Sequence, residues 1–220
     1  MKKSLAFVLL IFAVVCTTVC ITKIVIEKHD NPDDVYLTIV NKTHKLPDDW
    51  LNRIELEKAK NSVDADDTFL VEKETLKHFN NLRNELLEEG IDIELDSTYR
   101  SVDEQIELWN YFREEYGDDY CKQYLATPGY SEHHTGLAID VFLIKNGKII
   151  RENDAMIAER ETFTKVHEKL AKHGFILRYP ENKDNITGYA YEPWHFRYVG
   201  KKPAEDIMSN NLTLEEYLWR

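Results

Sequence analysis

The sequence predicts an α+β domain, a small antiparallel sheet flanked by helices, preceded by one N-terminal transmembrane helix. Three observations support this fold class. Apolar residues recur at helical spacing before Gly90, a hairpin signal ends the apolar run that begins at Leu137, and the chain opens with a long uncharged stretch. The 220 residues leave enough chain after that stretch for one domain of ordinary size.

The first residues are typical of a membrane anchor. Lys2-Lys3 precede an uncharged run from Ser4 to Thr22, which is close to the roughly 20 residues that span a bilayer. Paired lysines favour an N-terminus that stays in the cytoplasm. We therefore expect a single-pass signal anchor and tether over residues 1–30, located in the cell membrane, and an extracellular domain over residues 31–220. A cleaved signal peptide is the alternative.

The three cysteines predict no disulfide framework. Cys16 and Cys20 lie in the uncharged run, and the valine before each disfavours a lipid anchor there. Cys121 is the one cysteine left for the domain, so an internal disulfide is excluded.

The formal net charge of −12 disfavours a nucleic-acid backbone as partner. It also disfavours binding to anionic polymers through overall charge. An anionic group of a ligand must then be met by local cations such as Arg100 or Arg197. We expect a monomer that does not bind nucleic acid.

The sequence of the first half of the domain indicates alternating strands and helices. Tyr36–Val40 is a candidate strand, and the polar, mixed sequence of residues 41–67 indicates irregular chain on the surface. Ile91, Ile93 and Leu95 alternate with acids, which indicates a half-buried strand. A core helix precedes that strand, with apolar residues at Leu76, Phe79, Leu82 and Leu86.

A second helix is predicted directly after Arg100. Ser101 and Glu104 form a capping-box pattern, and Gly117 is a stop signal. Arg100 therefore lies at a strand-to-helix junction, where functional residues are common. A surface ion pair is the alternative role for Arg100. We expect Trp109 and Phe112 of this helix to lie in the core.

The second half begins with a strand and a hairpin. Residues 145–148, Lys-Asn-Gly-Lys, are a strong signal for a tight turn. A helix containing Phe163, Val166 and Leu170 should end at Gly174. A strand at Phe175–Leu177, a long loop from Tyr179 to Tyr191 beside a cleft, and short helices from Pro203 complete the domain. We expect His167 and His173 to be exposed.

Two separated segments carry the residues of a catalytic metal site. His133, Asp140 and His195 offer two imidazoles and a carboxylate, which zinc binds at about 2.0–2.2 Å while keeping a position open for water. Gly136 supplies a turn between the first two. Asp140 then stands alone in an apolar strand, where a buried carboxylate needs a cation or a proton. Pairing of Asp140 with a lysine or arginine is the alternative, and spacing alone does not separate His133 from His134.

The second segment should enter a strand in extended form, because Pro193 disfavours a helical Glu192. The two-residue period then places Trp194, Phe196 and Tyr198 in the core, and His195 and Arg197 on the opposite face, toward the site. Glu192 lies three residues before His195, which suits a general base better than a fourth ligand.

These residues resemble a known family. The pattern Ser-x-His-x-x-Gly-x-Ala-x-Asp over 131–140, followed by Glu-x-x-His over 192–195, is similar to the signature of zinc D-alanyl-D-alanine carboxypeptidases of the VanY type. That type belongs to a wider group with lysostaphin-like enzymes and the hedgehog signalling domain. Residues 97–101, Ser-Thr-Tyr-Arg-Ser, together with Gln105, resemble a third family stretch. Thr98 departs from the glycine of many relatives, and the resemblance covers roughly residues 35–218.

The resemblance implies a fold, a cofactor and residue roles. It implies the hedgehog/D-Ala-D-Ala-peptidase fold and assigns Zn²⁺ to His133, Asp140 and His195. Glu192 is then the base, and Arg100 polarises the scissile carbonyl. Further substrate contacts are expected at Ser131, Arg100, Gln105, Tyr99 and Ser97.

The expected reaction of this zinc peptidase domain is removal of the C-terminal D-alanine from a peptidoglycan stem peptide. An L,D-carboxypeptidase, a peptidoglycan endopeptidase and a non-catalytic zinc-stabilised wall-binding module remain as alternatives. Glu192 argues against the module, because a structural metal site needs no base.

Overall fold

A computed structural model describes residues 32–64 and 67–219. The predicted anchor over residues 1–30 lies outside the described residues. The chain divides into a unit of residues 1–35 and a compact unit of residues 36–220, and the architecture below is that of the second unit. Within the described ranges, no helix is both long and apolar enough to cross a membrane.

Two antiparallel sheets form the β part of the domain. The strands are β1 Leu56–Ala59, β2 Phe69–Glu72, β3 Asp92–Ser97, β4 Ala138–Lys145, β5 Lys148–Ile150, β6 Phe175–Leu177 and β7 His195–Tyr198. Strands β1 and β2 pair with each other, and the larger sheet has the order β3-β4-β7-β6, with β5 also paired to β4. The predicted α+β fold with a small antiparallel sheet is therefore confirmed.

Helices pack around this sheet. They are α1 Lys73–Glu88, α2 Val102–Tyr116, α3 Asp118–Tyr124, α4 Asn153–Ala158, α5 Arg160–Leu170, α6 Asp184–Thr187, α7 Lys201–Ser209 and α8 Leu214–Leu218. Short 3-10 helices lie at Pro32–Leu37, Trp50–Asn52, Glu132–Thr135 and Ala171–His173.

The core lies between one sheet face and helices α1 and α5. The four apolar residues predicted for the face of α1 are all buried there, together with Ile139, Val141 and Leu143 of β4. Phe196 and Tyr198 of β7 join the same cluster, and Trp194 packs against it, as the two-residue period predicted.

The predicted caps and turn are also confirmed. Ser101 and Glu104 form a reciprocal capping box at the start of α2, and Gly117 ends that helix. Asn146 and Gly147 both have positive φ between β4 and β5, which a type I′ hairpin turn requires.

The predicted strand at Tyr36–Val40 is wrong. Pro32–Leu37 forms a 3-10 helix, and residues 38–40 belong to no strand. The carbonyls of Tyr36 and Thr38 instead accept hydrogen bonds from Nη2 of Arg197, at 3.1 and 2.7 Å. A buried guanidinium thus occupies the acceptors that a neighbouring strand would have needed.

Several side chains lie elsewhere than expected. Trp109 and Phe112 are half-buried rather than in the core, and Gln105 is the one fully buried residue of α2. His167 and His173 are not exposed bystanders. Nε2 of His167 binds the Pro193 carbonyl at 2.8 Å, and Nε2 of His173 lies 2.7 Å from Glu85.

Candidate metal centre and active site

Strand register brings Asp140 and His195 side by side. Strand β4 runs between β3 and β7, and Asp140 is directly opposite His195 on one side and Ser97 on the other. The register of β3 shifts between Leu95 and Ser97, next to this point, as is common near active sites. Two residues that are 55 positions apart therefore become cross-strand neighbours.

His133 reaches the same point from a tight turn. It lies in the 3-10 helix Glu132–Thr135, which ends at Gly136 in the left-handed conformation with φ of 70°. The ring of His133 donates from Nδ1 to the carbonyl of Thr98 at 2.8 Å. This bond leaves Nε2 to face Asp140, whose Oδ2 atom is 3.1 Å away.

His134 faces away from the cluster. Its Nε2 atom accepts a hydrogen bond from the backbone N–H of Gly129 at 3.1 Å, and its Nδ1 atom donates to the carbonyl of Arg100 at 2.6 Å. Both ring nitrogens are thus occupied by the backbone. This geometry favours His133 over His134 as the metal ligand.

The three proposed ligands have the spacing that a zinc ion needs. One nitrogen or oxygen from each of His133, Asp140 and His195 lies within 4.8 Å of the others. Tetrahedral ligands with bonds of about 2.1 Å stand roughly 3.4 Å apart. Nδ1 of His195 is 2.8 Å from Oδ1 of Asp140, yet among the described residues this buried oxygen makes no hydrogen bond. Atoms that crowd together without bonding fit convergence on a shared cation.

The charges around the cluster also favour a cation. Burial opposes ionisation of Asp140, but the two neighbouring histidines hold the pKa of its carboxyl below the usual range. Burial also opposes ionisation of His195 and so lowers its pKa. The carboxylates of Asp140 and Glu132 outweigh this effect and raise the pKa of His195 to about 10. The site therefore favours a bound positive charge, which either a proton on His195 or a metal ion can supply.

Glu192 stands beside the cluster without joining it. Its Oε2 atom lies 3.7 Å from Nδ1 of His195, beyond hydrogen-bond distance. Burial raises the pKa of the Glu192 carboxyl to about 7, with His195 opposing this shift and Asp140 and Glu132 adding to it. A carboxyl that titrates near neutral pH is suited to accept and return a proton.

Arg100 lines the same cleft as the proposed ligands and is held by two of the predicted substrate residues. Its Nη1 atom donates to Oε1 of Gln105 at 2.8 Å and its Nη2 atom to Oγ of Ser97 at 3.0 Å. Gln105 is itself held by a bond to the carbonyl of Ala126 at 2.8 Å. Gln105 and Ser97 therefore fix the direction of the guanidinium.

The three proposed ligands line a cleft of about 260 Å³ together with Glu192, Arg100 and Gln105. Tyr99 lines an adjacent cavity instead, in which Ser97 also lies. The loop that begins at Tyr179 does border the cleft, as predicted. The polar and aromatic residues of the wall are Asp96, Arg100, Gln105, Ser131, Glu132, His133, Asp140, Asn153, Tyr179, Tyr189, Glu192, Trp194 and His195.

Arg197 is not available to a ligand, contrary to the sequence-based expectation. It is fully buried, and Nη1 donates to Oε1 of Glu132 at 2.8 Å. Glu132 and Arg178 are buried residues of this site that sequence analysis missed. The one signal for Arg178 in the sequence is its position, because a charged residue directly after the apolar residues of β6 needs a partner.

The chain is similar to known carboxypeptidases. Residues 68–201 match the VanY family, described as D-alanyl-D-alanine carboxypeptidase. A putative carboxypeptidase of Bacillus subtilis, YodJ, is 36% identical over 203 residues, which cover 87% of this chain and 70% of that protein. The bifunctional D-Ala-D-Ala dipeptidase and carboxypeptidase VanXYC of Enterococcus gallinarum is 47% identical over 133 residues, 57% of this chain and 66% of that protein.

Solved structures share the fold. The LdcB LD-carboxypeptidase superposes with a TM-score of 0.72 at 36% identity, covering 86% of this chain and 88% of that one. A mutant of the VanY D,D-pentapeptidase from a VanB-type resistance cassette, in complex with Zn(II), gives 0.70 at 28% identity, with 84% and 99% covered. Family match, fold and ligand cluster agree, and this chain belongs to the VanY family of D-alanyl-D-alanine carboxypeptidases, as a zinc metallopeptidase.

Proposed function

We propose that this chain removes the C-terminal D-alanine from peptidoglycan stem peptides, with His133, Asp140 and His195 as zinc ligands and Glu192 as the base. The observation that carries the proposal is a three-ligand cluster with a separate carboxylate beside it. A structural zinc site uses four protein ligands and needs no base. The relative VanXYC, which is named for D-Ala-D-Ala, supports the substrate class.

The chemistry divides between the metal and the chain. His133, Asp140 and His195 would hold the zinc ion, which would lower the pKa of a water molecule from about 15.7 to about 7 and polarise a carbonyl. Glu192 accepts the proton of the attacking water and returns a proton to the leaving amine. Arg100 lines the cleft, and its fixed positive charge would stabilise the oxyanion that develops on the scissile carbonyl. Ser131, buried in the cleft wall, is our candidate for holding the substrate.

A second candidate is an L,D-carboxypeptidase, which removes the next residue of a shorter stem. The superposition with the LdcB LD-carboxypeptidase favours it, because that protein is 36% identical to this chain and has a TM-score of 0.72. Both reactions would use the same ligands and base, so the difference lies in which stem length the cleft accepts.

Defined stem peptides separate the candidates. We expect purified protein to shorten a pentapeptide stem by one D-alanine and to leave tri- and tetrapeptides intact, with products identified by mass. Shortening of the tetrapeptide would instead identify an L,D-carboxypeptidase, and internal cleavage an endopeptidase. Binding without cleavage of any stem would identify a wall-binding module.

Glu192→Gln tests the role of Glu192 as the base, because glutamine keeps the size and hydrogen-bonding capacity of the side chain but lacks the basic carboxylate. We expect it to retain zinc and to lose roughly 10²–10⁴-fold in rate. Turnover near the wild-type level would leave the reaction intact but exclude Glu192 as the base.

We also propose the location and state of the protein. The anchor of residues 1–30 would hold a monomeric zinc peptidase domain, residues 31–220, outside the cell membrane. The uncharged run behind Lys2-Lys3 supports this arrangement. The net charge of −12 supports the expectation that nucleic acid is not a partner.

A further inference from the structure

A chain of buried ions begins directly behind His195. Oε2 of Glu132 accepts a hydrogen bond from Nε2 of His195 at 3.0 Å. Oε1 of Glu132 accepts from Nε of Arg178 at 2.7 Å and from Nη1 of Arg197 at 2.8 Å. One carboxylate therefore binds the rear nitrogen of a proposed ligand and two guanidinium groups.

The chain of ions continues to the C-terminal helix. Nη1 and Nη2 of Arg178 donate to Oε2 and Oε1 of Glu215 in α8, at 2.8 and 2.6 Å. Asn41 donates to Oε1 of Glu215 at 3.1 Å. Arg178 and Glu215 are both fully buried and neither lines the cleft.

Stability alone is a poor explanation for this arrangement. Removing each ion from water costs several kcal/mol, and buried pairs often contribute no more than apolar residues of the same volume. The fork of Arg178 does, however, fix direction: it accommodates Glu132 on one edge and Glu215 on another. Because Glu132 binds Nε2 of His195, a fixed orientation of the Glu132 carboxylate also fixes the orientation of the His195 ring.

We propose that Glu132, Arg178 and Glu215 are positioning residues for the metal site. Together they hold Nε2 of His195 as a donor, so that Nδ1 faces Asp140 and the metal. Helix α8 is thereby part of the metal site although it contributes no ligand. The proposal rests on His195 as a ligand but not on the peptide that the enzyme cleaves.

Glu215→Gln tests the far end of the chain of ions. Partners behind a ligand typically contribute 10–100-fold to metal affinity, so we expect zinc to bind about 10-fold or more weakly in competition with a chromophoric chelator. Glu216→Gln is the matched control in the same helix turn. Glu216 caps α8 and pairs with Lys183 at 2.9 Å, and glutamine can also form a capping box. We expect zinc affinity unchanged in this control.

Thermal unfolding of the metal-free variants separates positioning from packing. A loss of stability in Glu215→Gln with wild-type zinc affinity would overturn the proposal. Arg178→Lys is the second variant, because lysine keeps the charge and loses the fork. Its Co²⁺-substituted form should show visible absorption bands that are shifted from those of the wild type. Unchanged bands together with unchanged zinc affinity would contradict the proposal.

The wild-type protein supplies a readout that needs no variant to fold. In ¹¹³Cd-substituted, ¹⁵N-labelled protein, the cadmium–nitrogen coupling of His195 should appear at Nδ1. Coupling at Nε2 would mean that Glu132 does not hold that nitrogen, and the proposal would fail. Zinc affinity, the Co²⁺ bands and the cadmium coupling all concern metal binding, so they remain informative if the substrate proves to be a different stem peptide.

Discussion

At each proposed ligand histidine, one ring nitrogen is already occupied by an oxygen of the protein. The carbonyl of Thr98 binds Nδ1 of His133, and the carboxylate of Glu132 binds Nε2 of His195. The opposite nitrogens are therefore left for the metal, Nε2 in one case and Nδ1 in the other. Such partners fix the tautomer and the direction of a ligand ring before any metal binds.

The neighbouring histidines give a matched test of the ligand assignment. We expect His133→Ala to lose bound zinc, because the cluster keeps only two ligands. His134→Ala should keep zinc, since both of its ring nitrogens bind backbone groups. Its activity should still fall, because the bond to the Arg100 carbonyl is lost. Metal analysis of the purified variants checks both, and the reverse pattern would move the assignment to His134.

The rate should depend on the ionisation of Glu192. Before any metal binds, burial raises the pKa of this carboxyl to about 7, and the protonated carboxyl cannot act as a base. The value of kcat/KM should therefore rise with pH as Glu192 ionises. A bound dication lowers the pKa of a nearby carboxyl, which places the acid limb of the zinc enzyme below 7. Glu192→Gln should lose this limb while zinc content stays constant. Retention of the same limb in the variant would assign it to another group.

Single residues of the site were predictable where the sequence itself shows a conflict. Asp140 stands among apolar residues, and Glu192 precedes a proline and a histidine, so both were visible as patterns. Glu132 was not, because its partners Arg178 and Arg197 are 46 and 65 positions away. Spacing along the chain carries no information about such contacts until the strands are paired.

At the scale of elements, one turn separates two of the proposed ligands. Gly136 lies between His133 and Asp140 with φ of 70°, and a Cβ added there would come within 2.8 Å of Leu56 and 3.4 Å of the Glu72 nitrogen. A residue with a side chain has both a conformational cost, about 1–2 kcal/mol in this region, and a steric one. The turn can therefore be tested without changing a ligand.

Gly147→Ala is the matched control for Gly136→Ala. Gly147 has φ of 73°, but no atom lies within 4 Å of an added Cβ, so the control has the conformational cost alone. We expect both variants to lose about 1–2 kcal/mol of unfolding free energy, with the larger loss in Gly136→Ala. Zinc affinity should fall in Gly136→Ala only. Equal losses and equal zinc affinities would show that the turn does not set the ligand spacing.

Elements were predictable where local patterns agree with tertiary packing. Helix α1 has its apolar face, α2 its capping box and the β4–β5 hairpin its Asn-Gly turn, and all three are present. The strand predicted at Tyr36–Val40 failed because Arg197, far along the chain, binds the carbonyls of Tyr36 and Thr38. Apolar content alone did not reveal that competitor.

At the scale of the molecule, the site draws on most of the chain. Arg197 binds the carbonyls of Tyr36 and Thr38, and Arg178 binds Glu215 of α8. Both guanidinium groups bind Glu132, which in turn binds the proposed ligand His195 of β7. If these groups hold the metal site as we propose, a domain shortened at either end should bind zinc more weakly. The proposed boundary at residue 31 lies before all of these groups.

The proposed orientation of the chain in the membrane can be tested in cells. The lysines at positions 2 and 3 should keep the N-terminus in the cytoplasm, so that residues 31–220 face outward. Protease added to protoplasts or spheroplasts of an expressing bacterial host should degrade the domain while a cytosolic control protein survives. Replacing both lysines by glutamate should increase the protected fraction, because the charge bias that sets orientation is lost. Mass analysis of the cell-associated protein separates an uncleaved anchor, which begins at residue 1, from a cleaved signal peptide. Complete protection of the wild-type domain beside a protected control, with degradation of both after lysis, would place the domain in the cytoplasm and contradict the proposal.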